Sequence, residues 1–385
     1  MIPRFDFKYS FRDFIGEFRS DIKGPSPDIT HLQEFFGGFP LLFVEKARIG
    51  IKLVLQALEL KPGSGIGVMP FTCSSVLFAI KEAGFKIVLI DIDKNFRLLH
   101  EDLQAKNSQI EALIVTHTFG FPDNVEALKL ILGGKPVIED CAQAYLSEVG
   151  DKPVGLCGDA GIFSMGYGKL FGIGSGGFIV SGNSALRLKL VQLSGNLAPP
   201  IAFESVKIRT RNLILGILHI PFVYNAVTFP LKKRMIKDKS GMQEYPETES
   251  LMSSSEIRLL IQRFDDHLKF IRQQQENGRL LMSLINERFS PLIPSGGSNP
   301  NFFLVPLQVK NRDAIVTYLA KRGIEAGKHF SNSIRWVQRF GYVYGACPNF
   351  ERIAGEVITL PCHYNLTEKQ IRFIAEYLNS YHETN

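Results

Sequence analysis

Three side chains that can act together on a carbon next to an amine lie between Val137 and Gly177. The apolar run Val137-Ile138 leads into Glu139-Asp140, so a strand there ends in a carboxylate. Gly161-Ile162-Phe163 leads into Ser164, and Lys169 follows on the same loop, with glycines at 166, 168, 172 and 174 around it. A pyridoxal 5'-phosphate enzyme needs an acid beside the ring nitrogen, an amine to carry the cofactor and a hydroxyl for its phosphate. The glycines permit tight turns and close approach of a ligand. Taken singly, Asp140 reads equally as a helix cap and Lys169 as a solvent-facing loop lysine. Their order and spacing favour the chemical reading.

Such groups converge only if regular elements present them. Glu45 to Leu60 has helical periodicity and stops at Pro62-Gly63. Ile66–Met69, Lys86–Ile90, Ala112–Val115, Pro136–Ile138 and Phe178–Val180 read as strands. Ser74–Ala83 and Val125–Leu132 read as helices between them. This alternation predicts an α/β fold with a mostly parallel sheet. Ligands gather beyond the carboxyl ends of such strands, where Asp140 and His117 fall.

Around this unit the pattern changes. Phe11, Phe14, Ile15 and Phe18 follow helical spacing in a leader expected to pack on the body, and Pro25 and Pro27 end it. Residues 232–250 are charged and contain Gly241 and Pro246, which suggests a linker. Ser253 to about Glu287 reads as a long helix, Phe302–Val309 as a strand, Arg312–Arg322 as a helix stopped by Gly323, and Thr367–Tyr381 as the last helix. The expected division is a leader plus large domain over 1–245 and a smaller α/β domain over 246–385.

Glu139-Asp140-x-Ala142-Gln143, Phe163-Ser164-x4-Lys169 and Gly176-Gly177 resemble the DegT/DnrJ/EryC1/StrS sugar aminotransferases. So do Pro70-Phe71-Thr72-Cys73, His117-Thr118-Phe119-Gly120-Phe121-Pro122, His329-Phe330 and Leu360-Pro361-Cys362-His363, in that order along the chain. The resemblance implies a pyridoxal-phosphate fold of type I, like aspartate aminotransferase, with the homodimer's active sites near the subunit boundary. It implies an amino donor, glutamate, and a nucleotide-linked keto sugar as acceptor, in amino-sugar or polysaccharide biosynthesis. It carries over Lys169 as the catalytic amine, Asp140 for the ring nitrogen, Gln143 for the ring hydroxyl and Ser164 for the phosphate. Relatives place a Gly-Thr or Gly-Ser step at the start of the first large helix. Here Ala47-Arg48 stands there, so Arg48 is either a phosphate contact or a surface arginine. Cys73 replaces an aromatic ring that stacks on the cofactor, and His117 is a candidate to cover the ring instead. His329 and His363 are either substrate contacts or core histidines. The relatives' Asn-x-Arg element corresponds to about Glu249–Ser253, where it is not recognisable.

The 385 residues are 45% apolar and 21% charged, as in a folded protein with a full core, and the net charge of +6 suits anionic small substrates. No nucleic-acid signature occurs. Five scattered cysteines without CxxC spacing give no disulfide framework and no metal site. The N-terminus lacks a signal-peptide run, so a cytoplasmic location is expected. Leu213 to Leu231 is mostly apolar and precedes Lys232-Lys233-Arg234, but His219, Pro221, Asn225 and Pro230 interrupt it. The favoured reading is a buried or lid-forming insert. A spanning helix, shallow docking on a membrane surface, and binding of a nucleotide diphosphate by the basic run are alternatives. Two other functions stay open: a non-catalytic binding or regulatory protein on the same fold, and an aminotransferase with a membrane-associated acceptor.

Overall fold

Short apolar runs alternating with amphipathic segments build a seven-stranded sheet in a computed structural model that describes residues 1–23, 27–200, 202–231 and 249–382. The strands are β1 (Leu41–Val44), β2 (Gly65–Val68), β3 (Lys86–Leu89), β4 (Ala112–Thr116), β5 (Val137–Asp140), β6 (Glu148–Val149), β7 (Lys152–Pro153), β8 (Ala160–Ser164) and β9 (Gly177–Val180). The sheet order is β1-β9-β8-β5-β4-β2-β3. β2, β3, β4, β5 and β8 pair in parallel, and β9 is antiparallel to both its neighbours. β4 and β5 are buried along their whole length, as expected of central parallel strands. Their register sets Thr116 beside Asp140 at the carboxyl edge, and the β8–β9 register sets Ser164 beside Gly177.

The helices are α1 (Phe11–Lys23), α2 (Thr30–Phe35), α3 (Ala47–Ala57), α4 (Ser74–Glu82), α5 (His100–Lys106), α6 (Val125–Leu132), α7 (Ser184–Ser194), α8 (Ala202–Leu218), α9 (Pro221–Leu231) and α10 (Ser254–Leu284). Local chemistry sets their ends. The Asn124 side chain accepts from Ala127 N at the start of α6, and Gly133, with φ of 62°, ends it. Ser253 and Glu256 form a reciprocal capping box on α10. The C-terminal part adds β10 (Ser298–Asn299), β11 (Val305–Gln308), α11 (Arg312–Lys321), α12 (Ser333–Gln338), α13 (Pro348–Glu356), β12 (Val357–Leu360) and α14 (Glu368–Asn379). β11 pairs antiparallel with β12, and α14 packs on α10. Gly323, at φ of 80°, ends α11 as its position in the sequence suggests.

The leader does pack on the body: α1 lies against α10 and α8. Its first residues go further than expected. Ile2 bridges Ile324, donating to Gly323 O at 2.6 Å and accepting from Glu325 N at 3.0 Å. The start of the chain is thereby tied to the C-terminal part.

The apolar insert departs from the buried alternative of its favoured reading. It forms the end of α8 and the whole of α9, two helices bent by 77° where Pro221 opens the second, and no single helix among the described residues is long and apolar enough to cross a membrane. Several of its apolar side chains are exposed, among them Ile214, Ile217, Ile220 and Phe222, so the segment is not a buried core element. Helical spacing shows that a segment has an apolar side but not what covers it. Lys232, Lys233, Arg234, Gly241, Pro246 and the expected boundary at 245/246 lie outside the described residues.

Two buried histidines are expected to make the fold acid-sensitive. His267 stacks on Phe171 with ring centroids 4.8 Å apart, and burial followed by the Arg263 charge pushes its pKa from 6.5 to about 3. Burial pushes His363 from 6.5 to about 4, against the opposing charge of Asp6. A histidine with a depressed folded pKa contributes stability that is complete above its unfolded value and is lost as pH falls below it. Each is expected to cost about 2 kcal/mol between about pH 7 and about pH 5. Urea denaturation of the wild type and His267→Phe, which keeps a ring on Phe171, checks this. The variant should show a shallower fall of stability with acid, and an equal slope would remove His267 as a cause.

Candidate active site

The β8–β9 connection carries Lys169 in a loop whose backbone is crowded from inside and clamped from outside. Lys169 N donates to Gly166 O at 3.2 Å, and a Cβ on Gly172 would lie 2.3 Å from Gly166 O. Gly168, Gly174 and Gly176 have φ of 79°, 103° and 86°, which glycine adopts without strain. The clamp comes from α8. Asn212 Nδ2 donates to Ile173 O at 3.1 Å, and Arg211 Nη2 donates to Gly174 O at 2.6 Å. A Cβ on Gly174 would lie 2.2 Å from Asn212 Oδ1. Thus α8 holds the lysine loop, through the two residues that immediately precede the apolar insert.

Asp140 sits at the end of β5, buried, with Oδ1 accepting from Ala142 N at 3.1 Å and Oδ2 from Thr116 Oγ1 at 3.4 Å. Burial raises its pKa, and the positive charge of Lys169 opposes the rise. Glu139 points elsewhere. It accepts from His117 Nε2 at 2.8 Å, Gly155 N at 2.9 Å and Gly158 N at 2.5 Å. Burial raises this carboxyl, but the bonds from His117, Gly155 and Gly158 outweigh burial and hold it below the ordinary range. Glu139 therefore holds β5 to its surroundings and does not line the cavity.

Asp140 and Lys169 flank a cavity of about 860 Å³, large enough for a cofactor and a substrate. Ala47, Arg48, Cys73, Asp140, Gln143, Ser164 and Lys169 all line it. The opening turns of α3 and α4 reach the cavity wall, and first-turn amides have no partner within their own helix. Ser164 Oγ accepts a long bond from Gly166 N at 3.4 Å. Gln143 Oε1 accepts from Phe119 N at 2.8 Å, which fixes the amide's direction. Arg48 is buried and its Nη1 donates to Glu82 at 3.1 Å, so that guanidinium is already held by a carboxylate. Ser250 and Leu251, in the stretch where the Asn-x-Arg element was sought, also reach the cavity.

Three sequence candidates do not line it. His117 is wholly buried behind β5: Nδ1 accepts from Asp123 N at 3.1 Å and Nε2 faces Glu139, so the ring is placed to donate to Glu139 and not to cover a cofactor. His329 stands behind Gln143, with the two Nε2 atoms 3.3 Å apart; burial, then the charges of Arg4 and Lys169, holds it well below the usual histidine range. His363 is a buried histidine that is not part of the cavity lining. In their place the fold brings Thr116, Lys207, Arg211 and Phe330 to the wall. Only α8 left a usable sequence signal: Ser205, Ile208 and Arg211 recur every third residue and share a face.

The donor set fits pyridoxal phosphate. A buried carboxylate faces the space an amine also faces, a hydroxyl and two helix openings lie along the wall, and Lys46, Lys207 and Arg211 add positive charge to its lining. A mostly parallel sheet with this loop and acid defines a pyridoxal-phosphate transferase of fold type I. The sequence profile of the DegT/DnrJ/EryC1/StrS aminotransferase family matches residues 31–196 and 237–379, and the chain belongs to that family of pyridoxal-phosphate-dependent aminotransferases. It is 26% identical to a UDP-N-acetyl-3-dehydro-alpha-D-glucosamine 3-aminotransferase of Acidithiobacillus ferrooxidans, over 84% of this chain and 79% of the relative. It is 24% identical to a pleiotropic regulatory protein of Geobacillus stearothermophilus, over 85% and 80%. The structure resembles the crystal structure of a sugar aminotransferase of Micromonospora echinospora with a TM-score of 0.76 at 19% identity, covering 99% of this chain and all of that one.

Proposed function

We propose that the protein moves an amino group from glutamate to a nucleotide-linked keto sugar, in a pathway to an amino sugar. The observation that carries this is the placing of Lys169 and the buried Asp140 on one cavity whose lining also bears Lys46, Lys207 and Arg211. When bound, pyridoxal phosphate supplies a ring that accepts the electrons left as a C–H bond breaks. Asp140, held by Ala142 N–H, keeps a proton on the ring nitrogen. Lys169 Nζ would take the proton from the donor's α-carbon as the acid–base group of the site. Ser164 Oγ and the first turn of α3 hold the phosphate, and Gln143 donates to the ring hydroxyl. Arg48, engaged by Glu82, shapes that wall beside Ala47, and Cys73 borders the cofactor space. The cationic lining suits the acceptor's diphosphate.

The same reading includes a homodimer in the cytoplasm. Exposed Leu188 and Val191 on α7 are apolar surface of the kind a second copy covers, and all five cysteines are free thiols. The named regulatory relative supports a second reading, a binding or regulatory protein that keeps the fold. Absorption spectra with pyridoxal phosphate, before and after glutamate, separate the two. A visible band that glutamate abolishes is expected. A folded protein that takes up no cofactor would favour the regulatory reading. A band indifferent to glutamate would exclude glutamate as the donor.

A further inference from the structure

Seven of the large apolar side chains that stand exposed among the described residues belong to one stretch: Val206, Ile214, Ile217, Ile220, Phe222, Val227 and Leu231. Exposed apolar residues scattered singly need no explanation, but a cluster of this kind marks an interaction surface. The opposite side of α8 is fixed in place. Arg209 and Asn212 are buried, Arg209 lies 3.8 Å from Glu17, and Asn212 holds the lysine loop. The exposed side is therefore presented by a rigid support, with Phe222, 80% exposed, just beyond the bend.

Charge selects the partner. From Ser205 to Leu231 the sequence has no Asp or Glu, carries Lys207 and Arg211 outside the buried side of α8, and continues into Lys232-Lys233-Arg234. We propose that α8 and α9 dock the protein on an anionic lipid bilayer, with the apolar side chains at the headgroup–acyl boundary. Apolar surface combined with neighbouring cations is the pattern of helices that lie in that boundary. From Ser205 to Leu218 and from Pro221 to Leu231 the arms are about 21 Å and about 16 Å long at the helical rise, short of the roughly 30 Å hydrocarbon core. With the 77° bend between them, they lie on the membrane and do not cross it. Pairing with a second copy through this face is disfavoured, because a two-fold axis would set cations against cations with no acid in the stretch to answer them.

Docking would place the active-site mouth at the lipid surface. Lys207 and Arg211 line the active-site cavity and also a shallow groove with Val206, Thr210, Ile214 and Leu215. An acceptor carried on a membrane lipid would reach Lys169 without leaving that surface.

The test is flotation of the full-length protein with vesicles of phosphatidylcholine, alone or mixed with phosphatidylglycerol. Wild type is expected to float with the anionic vesicles, less so at high salt. The double variant Ile217→Ser, Phe222→Ser should bind at least about tenfold more weakly, with thermal melting and oligomeric state unchanged. Should that variant misfold, Phe222→Trp keeps the bulk and reads entry into lipid as a blue shift of emission on anionic vesicles, above the background of Trp336. No flotation of wild type, or no shift in Phe222→Trp, would overturn the proposal. Loss of the oligomer in the double variant without vesicle binding by wild type would assign the face to a second copy. Flotation requires neither cofactor nor turnover, so its failure and a failure of the amino-transfer reading are separate results.

Discussion

Lys169→Ala is expected to lower the rate of amino transfer by about 10²–10⁴-fold or more, the range for loss of a positioned acid–base group. The loop should survive the change. Its shape comes from backbone bonds of Gly166, Ile173 and Gly174 and from the Asn212 and Arg211 clamp, none of which uses Nζ. Thermal melting should thus stay near that of wild type while turnover collapses. Borohydride treatment adds a readout independent of turnover: it should fix the cofactor to wild type and leave the variant unlabelled. An added small amine should restore part of the rate if the missing group is the amine. Near-normal turnover in the variant would take Lys169 out of the mechanism.

Asp140→Asn should be nearly as damaging for a different reason. The amide matches the carboxylate in shape and can still accept from Ala142 N, but it lacks the charge that keeps a proton on the ring nitrogen. By analogy with removal of one preorganised electrostatic group, a loss of about 10²–10³-fold in the half-reaction with glutamate is expected. Stability should move the other way. Burial raises the Asp140 pKa, so the ionised form is costly in the cofactor-free protein, and the neutral amide should melt at the same or a higher temperature. Stopped-flow absorbance and melting curves on the same samples separate the two effects. An unchanged half-reaction rate would contradict the ring-nitrogen role.

The parts of the site that could be read from the sequence are those built locally. Asp140 and Ser164 close apolar strands, and a strand's carboxyl end is where a parallel sheet opens to ligands. The glycines around Lys169 mark a loop of close backbone approaches, and the Gly172 and Gly174 contacts are of that kind. Helix limits were legible for the same reason: the Asn124, Ser253 and Thr367 caps and the Gly133 and Gly323 stops act within a turn.

His117 shows where local reading fails. It occupies a strand end, like Asp140, but strand ends have two sides. Its ring turns to Glu139, a partner on the next strand of the sheet, while Asp123 N donates to its other nitrogen. Arg48 met Glu82 in the same way, and His363 was enclosed by the core.

By itself the sequence determined the class of fold, the order of the elements and the trio of acid, hydroxyl and amine, because each depends on residues near one another along the chain. Only the tertiary structure decided that α8 clamps the lysine loop, that Ile2 joins Ile324, and that Ile217 and Phe222 face outward. The physical reason is the same in each case. Periodicity and capping are short-range, whereas burial and hydrogen-bond partners depend on which distant segment arrives to cover a face.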